Sequence, residues 1–172
     1  NLVKLIIGAI YSDSQLLEVA KKEMKRLKLI TQNQSEEFPF DLTEYYAKEM
    51  GSKLKRRFLS IEGLLELKNF FEWKLKMVSI ENKLRKFGKR RINLDPGYID
   101  LHRVVLLSSK EAPQKIFLSE GIWADLILLK RKGGYVDLPW TFPDIRKGYY
   151  NEFFLQVLEK FKEEKKSRQR IN

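Results

Sequence analysis

The chain has 172 residues, 43% of them hydrophobic and 33% charged, with 34 Lys and Arg against 23 Asp and Glu for a net charge of +11. That apolar share excludes global disorder, and the length predicts one domain over residues 1–172 that buries about two-thirds of the surface of its unfolded chain. Cysteine is absent, which excludes disulfides, zinc–thiolate sites, iron–sulfur clusters and thiol nucleophiles, and with no signal-peptide pattern or apolar run near ~18 residues a soluble cytoplasmic protein with no membrane contact is expected.

Leu2 to Ile10 is almost wholly apolar and β-branched, the pattern of a buried central strand. Ser12 and Gln15 stand at capping-box spacing before Leu17, Ala20, Met24 and Leu27, whose 3-4-3 steps predict an amphipathic helix. Leu29–Gln34 reads as a second strand, and Thr43 to Met50 as a short helix closed by Gly51. Leu54–Ile61 reads as a strand. Phe70, Trp73, Met77, Ile80, Leu84 and Phe87 then step by 3 and 4, predicting a long helix with Gly88 at its C-terminal cap and Lys76, Lys83 and Arg90 along one flank.

Beyond it, Arg91–Leu94 leads into Asp95-Pro96-Gly97, whose residue types predict a turn. Val104–Ser108, Lys115–Leu118 and Ile122–Lys130 follow as strands, and Gly133-Gly134 predicts a hairpin into Tyr135–Leu138. Tyr150, Phe153, Val157 and Phe161 share a helix face, followed from Lys162 by a charged tail expected to fray. The expected fold is α+β: a mainly antiparallel mixed sheet with helices on one face, ferredoxin-like in its first half and a β-meander in its second.

Charge is unevenly placed. Residues 74–91 hold eight Lys or Arg against Glu81 alone, a net of +7, whereas residues 36–49 hold five acids against Lys48, a net of −4. A basic surface of this kind either attracts phosphate-bearing partners by its field or forms a solvated helix face.

Three segments mix aromatics, carboxylates, Pro and Gly in ways no periodicity explains: Phe38–Gly51, Asn93–Tyr98 and Pro139–Asp144. None carries a motif with a reaction attached. Together with Tyr11-Ser12-Asp13, Arg56, Phe58, Ser60 and Gly121-Ile122, they make nearly the whole chain resemble a bacterial family known as domain of unknown function 4416. The resemblance implies a stand-alone bacterial domain and supplies no activity. Some members carry a nucleotide-binding label, but this chain has neither a G-x-x-x-x-G-K-[ST] loop nor G-x-G-x-x-G. Where the family has a His-Arg pair before an Ile-Tyr strand, this chain has Gln114-Lys115 before Ile116-Phe117.

The candidate residues follow from chemistry. Asp41, Glu49 and Asp95 are oxygen donors suited to Mg²⁺ if their loops meet, with Asp144 joining them; otherwise they cap turns and helices. Tyr45, Tyr46, Tyr98 and Trp140 offer ring faces for a base, with Arg56 or Arg91 for a phosphate; otherwise they wedge loops onto the core. Lys76, Lys83 and Arg90 are the candidate nucleic-acid contacts. His102 is the only histidine and reads as surface structure. The leading expectation is binding of a phosphate-bearing ligand, a nucleotide or RNA. The alternatives are a Mg²⁺-dependent phosphoester hydrolase and a protein-interaction module without a ligand.

Overall fold

The computed structural model describes residues 1–41 and 46–171. In chain order the elements are β1 (Leu2–Tyr11), α1 (Ser14–Arg26), β2 (Thr31–Gln34), β3 (Phe38–Pro39), α2 (Ala47–Met50), β4 (Lys55–Ile61), β5 (Leu65–Glu66), α3 (Phe71–Lys83), β6 (Ile92–Ile99), β7 (Arg103–Ser108), β8 (Ile116–Ser119), β9 (Ile122–Arg131), β10 (Gly134–Asp137), α4 (Pro143–Arg146) and α5 (Asn151–Ile171). The α+β expectation holds.

One sheet runs β10-β9-β7-β6-β1-β4-β2, with β3 beside β4, β5 beside β1 and β8 beside β9. Every described pairing is antiparallel, so the sheet is not mixed. Within it β6-β1-β4-β2, connected through α1 and α3, has the strand order of a ferredoxin-like β-α-β-β-α-β unit. β7, β9 and β10 extend that unit from its β6 edge.

Helices cover both faces, not one. Strand side chains alternate between faces, and β1 sends Leu5, Ile7, Ala9 and Tyr11 into a core with Leu17, Ala20 and Met24 of α1 and Met77 and Ile80 of α3. Ile6 points the other way, into a core with Phe58, Leu106 and the α5 side chains Phe153, Phe154, Val157 and Phe161. The charged tail is part of this arrangement. α5 continues to Ile171 rather than fraying after Lys162, because Glu164 accepts hydrogen bonds from the buried Lys4 at 2.7 Å and from Gln32 at 3.0 Å.

Four local expectations change. The cap of α1 is Asp13, which accepts from the Gln15 amide at 2.9 Å, and not Ser12. α3 ends at Lys83, so Gly88 is not its cap. Lys86 and Lys89 instead form a tight hairpin with both central residues, Phe87 and Gly88, at positive φ. Phe87 therefore leaves the apolar stripe it seemed to continue and stands 91% exposed. Finally, Asp95-Pro96-Gly97 is no turn: all three lie inside β6, paired with Gly8, Ile7 and Ile6 of β1. The start of the helix expected over Thr43–Met50 lies outside the described residues.

Candidate functional site

A split in the sheet makes the site. β6 pairs with β1 over its whole length, from Ile92 to Ile99, but with β7 only from Gly97 to Ile99. Pro96 carries no N–H to offer a second neighbour, so the strand is singly paired from there back. Gly97 marks the last close approach: a Cβ there would lie 2.2 Å from the Val105 carbonyl oxygen and 3.1 Å from the Leu106 Cα. Past this point β7 stays with β9 alone, pairing Leu107 with Ala124 and Ser108 with Trp123. The residues that read as a turn thus open a wedge between two strands.

Behind the wedge lies a buried ion pair. Arg56 Nη1 donates to both Asp144 oxygens, at 2.9 and 3.0 Å, and the side chains are 3% and 0% exposed. Phe40 and Phe142 contribute ring faces 4.3 and 4.7 Å from the guanidinium carbon. Tyr150 adds its hydroxyl, 3.4 Å from Asp144 Oδ2; burial foremost, and then Asp144, pushes that phenol's pKa up. The Pro139–Asp144 segment is fixed by Trp140 Nε1 and Thr141 Oγ1, which donate to the Leu126 and Ile127 carbonyls at 2.7 and 2.6 Å. Those carbonyls lie where β9 slips register against β7, a bulge that leaves backbone groups needing partners.

A second cluster lines the open edge of β6. Lys74 of α3 donates to Asp95 Oδ1 and to the Leu94 carbonyl, each at 2.8 Å, with Glu81 Oε1 at 3.4 Å. Glu81 Oε1 also accepts from the Leu94 amide at 2.6 Å, and Asn93 donates to Asp95 Oδ2 at 2.7 Å. Burial alone would push the Asp95 carboxyl up and the Lys74 ammonium down. Their mutual attraction, with Glu81 and Asn93 adding to it, outweighs burial and holds Asp95 below the usual range and Lys74 above it. Arg90 continues the chain, donating to Asn93 Oδ1 and Glu49 Oε2 at 2.8 Å each.

The wedge itself is a cleft of about 300 Å³ whose walls include Tyr46, Asp95, Lys110, Lys115, Asp125 and Phe142. The Lys110 ammonium lies 4.7 Å from the Tyr46 ring. Lys115 donates to Ser108 Oγ at 3.0 Å and to the Lys110 carbonyl at 3.1 Å, and its ammonium is 3.9 Å from Asp125 Oδ2. Asp125 is 4% exposed, and its Oδ1 accepts no hydrogen bond among the described residues. Burial, reinforced by Asp95 and opposed by Lys115 and Gln114, raises its carboxyl pKa. The pKa values of the two carboxyls in this cleft are thus shifted in opposite directions. Lys115 brings a cation to the cleft wall.

Of the residues expected to form a site, Tyr46 and Asp95 line the cleft, with Arg56 and Asp144 buried in a pair of their own rather than open to a ligand. Asp41 is exposed, Tyr45 lies outside the described residues, and Glu49 is tied to Arg90. Tyr98 packs edge-on against Phe70, with ring centres 5.2 Å apart, and Trp140 spends its N–H on the Leu126 carbonyl. Arg91 is half-buried beside the 86–89 hairpin. The expected basic flank separates: Lys76 lies over the Trp73 ring at 4.0 Å, Lys83 pairs with Glu23 at 3.1 Å, and Arg90 lies beyond the helix, turned inward. Asp41, Glu49 and Asp95 do not gather, and no group of three or more His, Cys, Asp or Glu that could hold a metal occurs among the described residues.

Sequence reasoning missed Lys74, Glu81, Lys110, Lys115 and Asp125. A signal existed for three of them. Lys74 and Glu81 fall within the stripe of Phe70, Met77 and Ile80, and Asp125 interrupts the apolar strand Ile122–Leu129. A charge at a core position needs a partner.

Residues 1–161 match the sequence model of a family described as Domain of unknown function (DUF4416). No curated protein and no solved structure matches the chain. None of the described helices is long and apolar enough to cross a membrane.

Proposed function

The chain belongs to the family Domain of unknown function (DUF4416), a description that names no activity, so from the cleft alone we propose that the protein binds a small phosphate-bearing ligand, a nucleotide. The carrying observation is Asp125, a buried carboxylate with an oxygen lacking any hydrogen bond among the described residues, in the wall of an open cleft. Lys115, 3.9 Å from Oδ2, and Gln114 compensate part of the carboxylate's charge. The Oδ1 left over has room for a donor from outside, and leaving such an atom unmatched costs about 1–3 kcal/mol. A nucleobase supplies N–H donors for Asp125 and a flat face for Tyr46 and Phe142, while Lys110 and Lys115 meet its phosphate. The volume is at the small end of the roughly 300–1,000 Å³ typical of ligand clefts, the scale of one nucleotide rather than a long polymer. This reading places the protein in the cytoplasm, where nucleotides are abundant.

A thermal-shift panel of nucleoside mono-, di- and triphosphates, with and without Mg²⁺, tests it. At about a hundred times its dissociation constant the right nucleotide adds ~2.7 kcal/mol, raising the midpoint by roughly 5–10 °C for a chain of this size. Asp125→Asn and Lys110→Ala each weaken binding at least tenfold while the free protein stays folded. If no nucleotide moves the midpoint by more than about a degree under these conditions, the reading fails.

The phosphoester-hydrolase reading draws on the presence of two carboxyls, Asp95 and Asp125, in the walls of one cleft, with environments that push their pKa values in opposite directions. Turnover of a bound nucleotide, lost in Asp125→Asn, would favour it over binding alone.

A further inference from the structure

The 86–89 hairpin lies outside the cleft, and nothing in the core accounts for it. Lys86 and Lys89 exchange backbone hydrogen bonds at 3.1 and 3.0 Å around Phe87 and Gly88, with φ of 50° and 73°. Two positive φ values in sequence define a turn that favours asparagine or aspartate first and glycine second. A bulky aromatic at the first position is an outlier in backbone terms. Burial would normally offset that, yet Phe87 is 91% exposed. The turn is also braced from behind: Arg85 donates to the Gly88 carbonyl and to Asn82 Oδ1, each at 2.8 Å. A strained, rigid support therefore holds one ring out in solvent.

Its surroundings are cationic. Residues 82–91 hold six Lys or Arg and no acid. Lys86 Nζ is 5.5 Å from the Phe87 ring. Beside the hairpin is a concavity of about 350 Å³ whose walls include Ser12, Lys48, Lys86, Phe87, Lys89 and Arg91. Glu49, on the same wall, is neutralised by Arg90 at 2.8 Å. Among the described residues, Lys86, Lys89 and Arg91 form no ion pair with any carboxylate. α2 separates the two sites: Tyr46 lines the cleft, and Ala47–Gly51 line this concavity.

We propose that this hairpin is a second site, a binding surface for single-stranded nucleic acid, in which Phe87 stacks on an unpaired base and Lys86, Lys89 and Arg91 hold the flanking phosphates. Exposed ring plus adjoining basic concavity is the pairing such binding requires, since stacking takes any base and cations follow the backbone. A duplex buries its base faces and offers the ring nothing to stack on. An anionic membrane fits less well, because a single apolar side chain at the tip gives little insertion.

The test is fluorescence anisotropy with a labelled uridine-rich RNA of about 12 nucleotides, a matched RNA duplex, and sedimentation with phosphatidylserine-containing vesicles. The single strand should bind at about 50 mM salt and weaken steeply as salt rises, by roughly 0.7 log units per phosphate contact per log salt. Phe87→Ala should lose about tenfold in affinity with the salt slope unchanged, and Phe87→Trp should retain binding and show quenched emission on contact. Replacing Lys86, Lys89 and Arg91 together by Gln should flatten the slope by about two. Phe87 is exposed, so neither single variant threatens the fold. The proposal is overturned by no binding at about 50 mM salt, by Phe87→Ala binding as wild type does, by equal affinity for the duplex, or by Phe87-dependent vesicle binding in place of RNA binding. The cleft-directed Asp125→Asn variant should bind RNA normally, which separates failure here from failure of the nucleotide reading.

Discussion

Arg56 and Asp144 invite a functional reading as an arginine and an acid, and their geometry assigns them a structural one that can be measured. Asp144→Asn preserves shape but removes the charge that faces Arg56 at 2.9 and 3.0 Å, in a place where the two side chains are 3% and 0% exposed. The guanidinium would keep the Phe40 and Phe142 faces, an attraction of about 2 kcal/mol when desolvated. It would lose its counter-ion where water cannot replace it. Breaking a buried pair from one side costs about 3–5 kcal/mol, whereas replacing both partners by apolar groups of similar volume is often close to neutral. Urea unfolding should therefore show Asp144→Asn destabilised by about 3–5 kcal/mol, equivalent to a drop of roughly 6–20 °C in midpoint. Arg56→Met with Asp144→Leu should recover most of the loss. The pairing of the two results matters more than either. A cost below about 1 kcal/mol for Asp144→Asn would mean that the pair is not needed for folding, and would return both residues to the list of groups available to a ligand.

Two further outcomes follow from the cleft. The Asp125 carboxyl pKa is raised in the folded state, chiefly by burial, so its contribution to stability is complete below the ordinary carboxylate range and is lost as pH rises through the folded value. Measured from about pH 3 to pH 8, the stability of wild type relative to Asp125→Asn should fall with rising pH; a flat or rising difference would show that Lys115 and Gln114 outweigh burial at this carboxyl. Gly97→Ala should cost at least ~2 kcal/mol by urea unfolding, because the added carbon meets the Val105 carbonyl at 2.2 Å and backbone yields less readily than a side chain; a neutral result would mean that β7 does not close on β6 there.

Much of the fold is legible in the sequence because it depends on periodic burial. β1 reads as a central strand because both of its faces are covered, and α1 and α5 read as helices because each offers one stripe to one core. The failures share a cause. Phe87 matched the 3-4 spacing of α3 by coincidence, since spacing does not report that the helix stops at Lys83. Asp95-Pro96-Gly97 has turn chemistry, but the same residues serve a strand that is about to lose a neighbour: Pro where one side is unpaired, Gly where the last paired backbone comes too close for a Cβ. Residue type gave the local conformational constraint correctly and left open which structure would use it.

The candidate site was harder to read because its charges come from elements far apart in sequence. Lys74 and Asp95 are 21 residues apart, and Arg56 and Asp144 are 88 apart. The acidic aromatic segment and the basic middle looked like opposed surfaces, yet the structure joins them through Arg90, which binds Glu49 and lies 5.6 Å from the Tyr46 ring. That joining uses up most of the groups that seemed free for a ligand. What it leaves is selective: one buried carboxylate oxygen in the cleft without a hydrogen bond among the described residues, and one aromatic ring held into solvent at a conformational cost. A fold that ties Lys74, Glu81, Asp95 and Asn93 into one connected network has the means to satisfy Asp125 as well. Asp125 Oδ1, left without a hydrogen bond among the described residues while Lys115 faces Oδ2, stands in the wall of an open cleft, where a donor from outside can reach it.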